Sequence, residues 1–145
     1  MTITPLTIEN IDEVFADLSE TSMRDAEDYG KGKMRKAFID SIGLPFSGAF
    51  YNDAGQVCAL VRMSPIDTGY GFRFFFVDRA DGMKTIGIPF TMFIRNMSND
   101  LIDKHDAYLE VLTRGDKASR WFQSMGFNYF TDDGHVFKYV KHRKE

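Results

Sequence analysis

The residues of this 145-residue chain that could do chemistry are few and scattered. Cys58 is the one thiol. It lies inside an apolar run, where a cysteine usually behaves as a small hydrophobe; the other use of a lone thiol is as a nucleophile. His105, His135 and His142 show no spacing that would gather a metal ion with Cys58, so no metal is expected. No order of serine, histidine and aspartate suits a proton relay to a nucleophile, and no glycine-rich dinucleotide fingerprint is present. What remains are carboxylates and phenols on or near strands: Asp78, Glu110, Tyr108 and Tyr129. A carboxylate can take a proton and a phenol can give one when both reach the same substrate. Each acid also has a plain structural use. Asp78 suits the start of a loop, where it would cap local N–H groups. Glu110 suits an outward-facing strand position or an ion pair. His105, at the end of a helical pattern, complements the helix dipole.

The composition bounds what these groups can serve. Apolar residues make up 43% and charged residues 27%, a folded balance, and 14 phenylalanines point to a core or docking surface built on aromatic packing. The net charge of −3 lacks the footprint of a nucleic-acid binder. Lys138, Lys141, His142, Arg143 and Lys144 make a short basic tail, read as a solvated end. No stretch approaches the roughly 18 apolar residues of a membrane span, and the N-terminus lacks a leader pattern. With a single cysteine, a reducing, cytoplasmic setting is expected.

The elements that must position the candidate residues follow from periodicity. Thr7 suits an N-cap before an apolar stripe at Ile8, Ile11, Val14, Phe15 and Leu18. Residues 23–42 are less regular, with a short helix predicted over Met34–Ile42 and Gly43 as its stop. Phe46–Tyr51 and Val57–Met63 read as strands joined by the turn Asn52-Asp-Ala-Gly55, the second ending before Pro65. Asp67-Thr-Gly69 marks another turn. Gly71–Val77, with four phenylalanines, reads as a central strand buried on both faces. A polar loop over Asp78–Lys84 precedes a helix that Pro89 would start, with Phe90, Phe93, Ile94, Met97, Leu101 and Ile102 as its buried face. A strand at Tyr108–Leu112, a helix over Lys117–Met125 and strands Phe127–Phe130 and Val136–Val140 around Asp132-Asp-Gly134 complete the chain.

The run Ala118-Ser-Arg-Trp-Phe-Gln-Ser-Met-Gly126-Phe127 resembles the late helix of the GNAT acetyltransferase family, whose pattern is Asn-x-x-Ala-x-x-x-Tyr-x-x-x-Gly-Phe. Ala118, Gly126 and Phe127 fall in register, and the element order resembles that fold along essentially the whole chain. The resemblance implies a single α/β (α+β) domain over residues 1–145. Its sheet would be mixed, mostly antiparallel, with about six or seven strands and helices on both faces. The family's cofactor is acetyl-CoA; because this chain departs from the family's pattern at the phosphate turn, the tyrosine and the asparagine, no cofactor is expected unless acyl transfer is retained. The family cradles the pyrophosphate on a turn of pattern Gln/Arg-x-x-Gly-x-Gly/Ala; aligned from the end of the phenylalanine-rich strand, those positions hold Gly82, Thr85 and Gly87. Phe122 stands where the family has the tyrosine that protonates the departing thiolate, and Gly115 where it has the asparagine that binds the pantetheine arm. Arg79 and Lys84 could add positive charge or stay solvated. If acyl transfer is retained, Phe76, Val77 and Asp78 would hold the pantetheine by strand-like pairing, and the N–H groups of Gly87 and Ile88 would meet the pyrophosphate. Gly115 and Phe122 would line the site, Asp78 or Glu110 would be the base, and Tyr129 the acid.

A narrower resemblance is to the internal virion protein family of short-tailed (podovirus) bacteriophages. It is carried by Phe76-Val77, Lys104-His-Asp106, Arg120–Phe127, Asp133-Gly134 with Val136-Phe137, and the opening Thr2–Thr7. It implies a non-catalytic role in assembling the internal core of the phage head, through larger phage structural or core proteins or a homo-oligomer. The place of action would be the host cytoplasm and then the virion, with no nucleic-acid or membrane partner. The alternatives are an active N-acyltransferase and a module that binds CoA without turnover.

Overall fold

Thr7 starts the first helix by reciprocal capping. Its side chain accepts a hydrogen bond from the Asn10 N–H (3.1 Å), and Asn10 Oδ1 accepts one from the Thr7 N–H (2.9 Å). The computed structural model describes residues 1–66, 71–105, 108–113, 119–132 and 137–141. Its elements are β1 (Thr2–Thr4), α1 (Ile8–Phe15), α2 (Glu20–Tyr29), α3 (Lys31–Asp40), β2 (Gly48–Tyr51), β3 (Val57–Ile66), β4 (Gly71–Asp78), α4 (Gly82–His105), β5 (Tyr108–Thr113), α5 (Ser119–Ser124), β6 (Asn128–Asp132) and β7 (Phe137–Lys141). The strands form one mixed sheet in the order β1-β2-β3-β4-β5-β7-β6. The β4–β5 pair is parallel, while β1–β2, β2–β3, β5–β7 and β6–β7 are antiparallel.

Two compact units divide the chain, Met1–Arg62 with Phe76–Gly87, and Met63–Phe75 with Ile88–Glu145. In the first, α1 buries Ile11, Val14 and Phe15, while Ile8 at the head of the predicted stripe is exposed. Phe15 meets Phe38 of α3 edge-on at 5.9 Å, and Arg35 of α3 donates twice to Asp12 of α1 (2.7 and 3.2 Å). The turn at Asn52 forms as expected, its side-chain oxygen accepting from the N–H groups of Ala54 and Gln56 (both 3.0 Å).

Several boundaries differ from the sequence reading. Residues 20–29 form a helix that periodicity did not predict, because it buries only Ser22 and Ala26 and has no apolar stripe. The helix α3 ends at Asp40, capped at Ser41, short of Gly43. Strand β3 runs through Pro65 to Ile66. Its pairing with β2 ends at Val61, so Pro65 needs no N–H on that side. In β4 only Gly71, Phe74 and Val77 are buried, and Phe72, Phe75 and Phe76 are half-buried, so the strand is central but not sealed on both faces. The largest change is at α4, which begins at Gly82 and carries Pro89 in its interior.

In the second unit, α4 buries Phe90, Ile94, Ser98, Leu101 and Ile102. Phe90 stacks on Trp121 at 6.0 Å, and the Trp121 indole donates to Thr91 Oγ1 (2.6 Å), which fixes α5 on α4. The helix α5 closes with Gly126 N–H donating to the Gln123 carbonyl and Phe127 N–H to the Phe122 carbonyl. Gly126 sits at φ +92°, where a side chain is strained. The predicted turns at 67–69 and 133–134 and the start of the late helix at 117–118 lie outside the described residues.

Candidate functional site

The segment that joins β4 to α4 is short and tightly held. Arg79 N–H donates to the Cys58 carbonyl (2.8 Å) and Ala80 N–H to the Asp17 carbonyl (2.8 Å), while Leu18 bridges Arg79. A Cβ on Gly82 would lie 2.7 Å from the Cys58 carbonyl oxygen, so only glycine lets the helix start this close to β3. Asp81, at φ +61°, precedes the helix, and its carboxylate meets the Lys84 amine at 2.9 Å. The first turn of α4 is therefore Gly82-Met-Lys-Thr85, so the phosphate-turn positions read from the sequence, Gly82, Thr85 and Gly87, fall within the start of the helix and not before it. Gly87 and Ile88 lie inside the helix. Their N–H groups fall beyond the first four of the helix and point back toward carbonyls of the preceding turn. The Ile88 side chain is 78% exposed.

Asp78 ends β4 beside Phe76 and Val77. Its Oδ1 accepts from the hydroxyls of Ser19 (2.5 Å) and Ser22 (2.6 Å), and its N–H donates to Ser22 Oγ (2.9 Å). Ser19 Oγ also accepts from Ser22 N–H, which caps α2. This carboxylate therefore ties the start of α2 to the end of β4. Thr85 Oγ1 donates to the Gly82 carbonyl (2.9 Å), the ordinary habit of a threonine in a first turn.

In the second unit Glu110 is 2% exposed and sits between Arg73 of β4 and Lys138 of β7 (2.6 and 3.3 Å). It is the ion-pair partner that one reading allowed, but it is buried. Phe122 is buried against Trp121 and Phe127, with ring centroids at 5.3 and 6.4 Å. Tyr129 lies half-exposed on β6, the last strand of the sheet order. Tyr108 lies opposite Gly71, where a Cβ would come within 2.6 Å of its ring. Gly115, His135 and His142 lie outside the described residues. Among the described residues no group of histidine, cysteine and acidic side chains could hold a metal, and no helix is long and apolar enough to cross a membrane.

The basic tail is where sequence reasoning failed most plainly. Lys138 and Lys141 belong to β7, and Lys141 is buried. Its amine donates to Ser98 Oγ and to the Met125 carbonyl (both 2.7 Å) and lies 5.9 Å from the Phe127 ring centre. A Cβ on Gly126 would come within 2.9 Å of Lys141 Cε, so the glycine also makes room for this lysine. Burial, and next the nearby Arg95, push the Lys141 amine down to about 8, against the opposing pull of Asp103. The alternation of Phe137, Lys138, Tyr139, Val140 and Lys141 was the one signal that could have found it.

The sequence matches no known family profile and no curated protein. Solved structures share its fold. Ard1 from Thermoplasma volcanium superposes with a TM-score of 0.69 at 12% identity, covering 99% of this chain and 98% of that one. Aminoglycoside 6'-acetyltransferase type Ii gives 0.65 at 12% identity, covering 98% and 97%. A variant of spermidine N-acetyltransferase SpeG from Vibrio cholerae gives 0.63 at 10% identity, covering 98% and 95%. At such identities the likeness speaks to architecture alone, and that architecture is plain: the chain has the GNAT acetyltransferase-like fold.

Proposed function

We propose that this chain is a non-catalytic protein on the GNAT fold, acting through protein–protein contacts in the assembly of a bacteriophage particle. The observation that carries the first part is that the groups needed for chemistry are already engaged. Asp78 is held by two serine hydroxyls, Glu110 is buried between two cations, and the position of the general acid is a buried phenylalanine with no proton to give. The phage assignment rests on the sequence resemblance of Phe76-Val77, Arg120–Phe127 and the opening residues. Melting the protein with and without millimolar acetyl-CoA tests the first part, because a ligand that binds only the folded state stabilises it. No shift is expected, and a shift of several degrees overturns the reading. Co-expression with phage head and core proteins tests the second; a chain that stays out of every co-purified complex in that setting ends the assembly role.

One observation favours acyl-CoA-dependent N-acyl transfer as the second reading. With α4 beginning at Gly82, the stretch Arg79-Ala-Asp-Gly82-Met-Lys84 has the spacing of the family's phosphate turn. Arg79 and Gly82 match its pattern, and a lysine stands in the last place. In that reading Phe76–Asp78 pairs with the pantetheine and the half-exposed Tyr129 is the acid. Against it, the turn carries the Asp81 carboxylate next to where a pyrophosphate would sit. An acetyl-CoA shift that is lost in Arg79→Ala would favour this reading.

A further inference from the structure

The sheet of the second unit has one face whose charge is left over. Tyr108, Glu110 and Leu112 of β5 alternate onto one side. The pairs Arg73↔Glu110, Glu110↔Val140, Leu112↔Lys138 and Asn128↔Val140 carry that side across β4, β7 and β6. Leu109, Val111 and Lys141 point to the other side, where the bond from Lys141 to Ser98 places α4. Glu110 is covered by its two cations, whose side chains remain 37% and 32% exposed. Beside them the register of β6 slips between Tyr129 and Thr131, and the displaced Phe130 stands 63% exposed with Lys138 Nζ 5.8 Å from its ring centre.

Two cations share one carboxylate, and among the described residues neither pairs with a second acid. The cluster therefore keeps one positive charge, partly withdrawn from water and set against the ring of Phe130. A basic segment docking here would be repelled. A purely apolar one would strip water from the spare charge without replacing it, which is costly. A segment with a carboxylate beside an apolar side chain meets both needs, the acid completing the ion pairs and the apolar group covering Phe130.

We propose that the face formed by Arg73, Glu110, Lys138 and Phe130 docks an acidic, aromatic- or aliphatic-bearing segment of a partner protein. This rests on the reading that the chain works by protein contacts. The probes are two synthetic peptides of equal length, one alternating Glu and Phe and one alternating Lys and Phe, titrated into the full chain at physiological salt and followed by amide chemical shifts. The chain's overall charge of −3 is then largely screened beyond about 8 Å, leaving contact charge to decide.

The acidic peptide is expected to bind and to shift amides of β6 and β7, while the basic one does not. Lys138→Met should weaken binding by about tenfold. Phe130→Ser, at an exposed bulge where folding is not at stake, should weaken it by roughly fivefold or more. Equal binding of both peptides, no binding at millimolar peptide, or indifference to both substitutions overturns the proposal. So does sedimentation showing a dimer that Phe130→Ser dissolves, which would make the face a contact between copies. Preferential binding to phosphatidylserine vesicles also overturns it. Acetyl-CoA binding, by contrast, would overturn the non-catalytic reading while leaving these peptide outcomes intact.

Discussion

The two faces of the sheet in the second unit bury charge in opposite ways. On one, Glu110 is held by Arg73 and Lys138, two cations for one acid. On the other, Lys141 is buried with no acid paired to it among the described residues, its amine satisfied by a hydroxyl, a carbonyl and an aromatic ring. The difference lies in what each ion can use. A carboxylate accepts only, and the interior offers it few donors once the strand ladder is formed. An ammonium donates, and a helix end offers carbonyls that carry the negative end of the dipole. Met125 follows α5 directly, and Arg95 donates to the Ser124 carbonyl at the same end, so two cations close that helix. The acid is balanced by opposite charge, whereas the amine is balanced by dipoles and a ring and its pKa is pushed down.

The sharpest way to break the comparison is Glu110→Gln. It leaves Arg73 and Lys138 facing each other over a buried neutral amide, and urea unfolding should show a loss of about 3 kcal/mol, the low end for a broken buried pair because both cations keep some water. A loss under about 1 kcal/mol would mean the carboxylate is effectively solvated. On the other face the readout is pH. The folded-state pKa of Lys141 is about 8, below its ordinary value of 10.5. Between those values the unfolded chain binds the extra proton, so stability rises with pH across that window and is flat with respect to this group below it. The gain is about 3 kcal/mol at most. Subtracting the pH profile of Lys141→Met from that of the parent isolates it, and identical profiles would place the amine in water.

How much of this could be read in advance depended on whether a signal was local. The Thr7 cap, the Asn52 turn and the Gly126 stop are chemistry between near neighbours in sequence, and the structure has all three. The start of α4 was misplaced because Pro89 is a strong local signal for a first helical position, while the residue that fixes the start is Gly82, through a contact with Cys58 on another strand. Helix α2 was lost because what fixes it is the hydroxyl pair on Asp78, more than fifty residues away, and not an apolar stripe. Lys141 looked like tail because a lysine near a terminus is usually solvated. Its acceptors, on α4 and after α5, are set by tertiary packing alone.

Gly126 ties the comparison to the packing. Gly126→Ala meets two separable costs, the left-handed φ and the contact with Lys141 Cε at 2.9 Å, and should lose about 2 kcal/mol or more. In a Lys141→Ala background the contact is gone and only the backbone part, about 1 kcal/mol, remains. The coupling in this double-mutant cycle measures how firmly the amine is seated; additive losses would mean the lysine has moved aside.

The smallest effect belongs to the outer cation of the other face. Lys138→Met removes the weaker partner of Glu110, at 3.3 Å against 2.6 Å for Arg73, and leaves an acid paired one to one. The methionine keeps the apolar stem over Phe130, so what changes is charge and little else. The expected loss is about 0.5–1 kcal/mol, because Arg73 still pairs the acid and the Lys138 head is partly exposed. If both cations were needed to hold Glu110, the loss would instead approach that of Glu110→Gln. A small loss shows that one cation suffices to hold the acid and that the second is spare, which is the condition under which this face carries an excess charge.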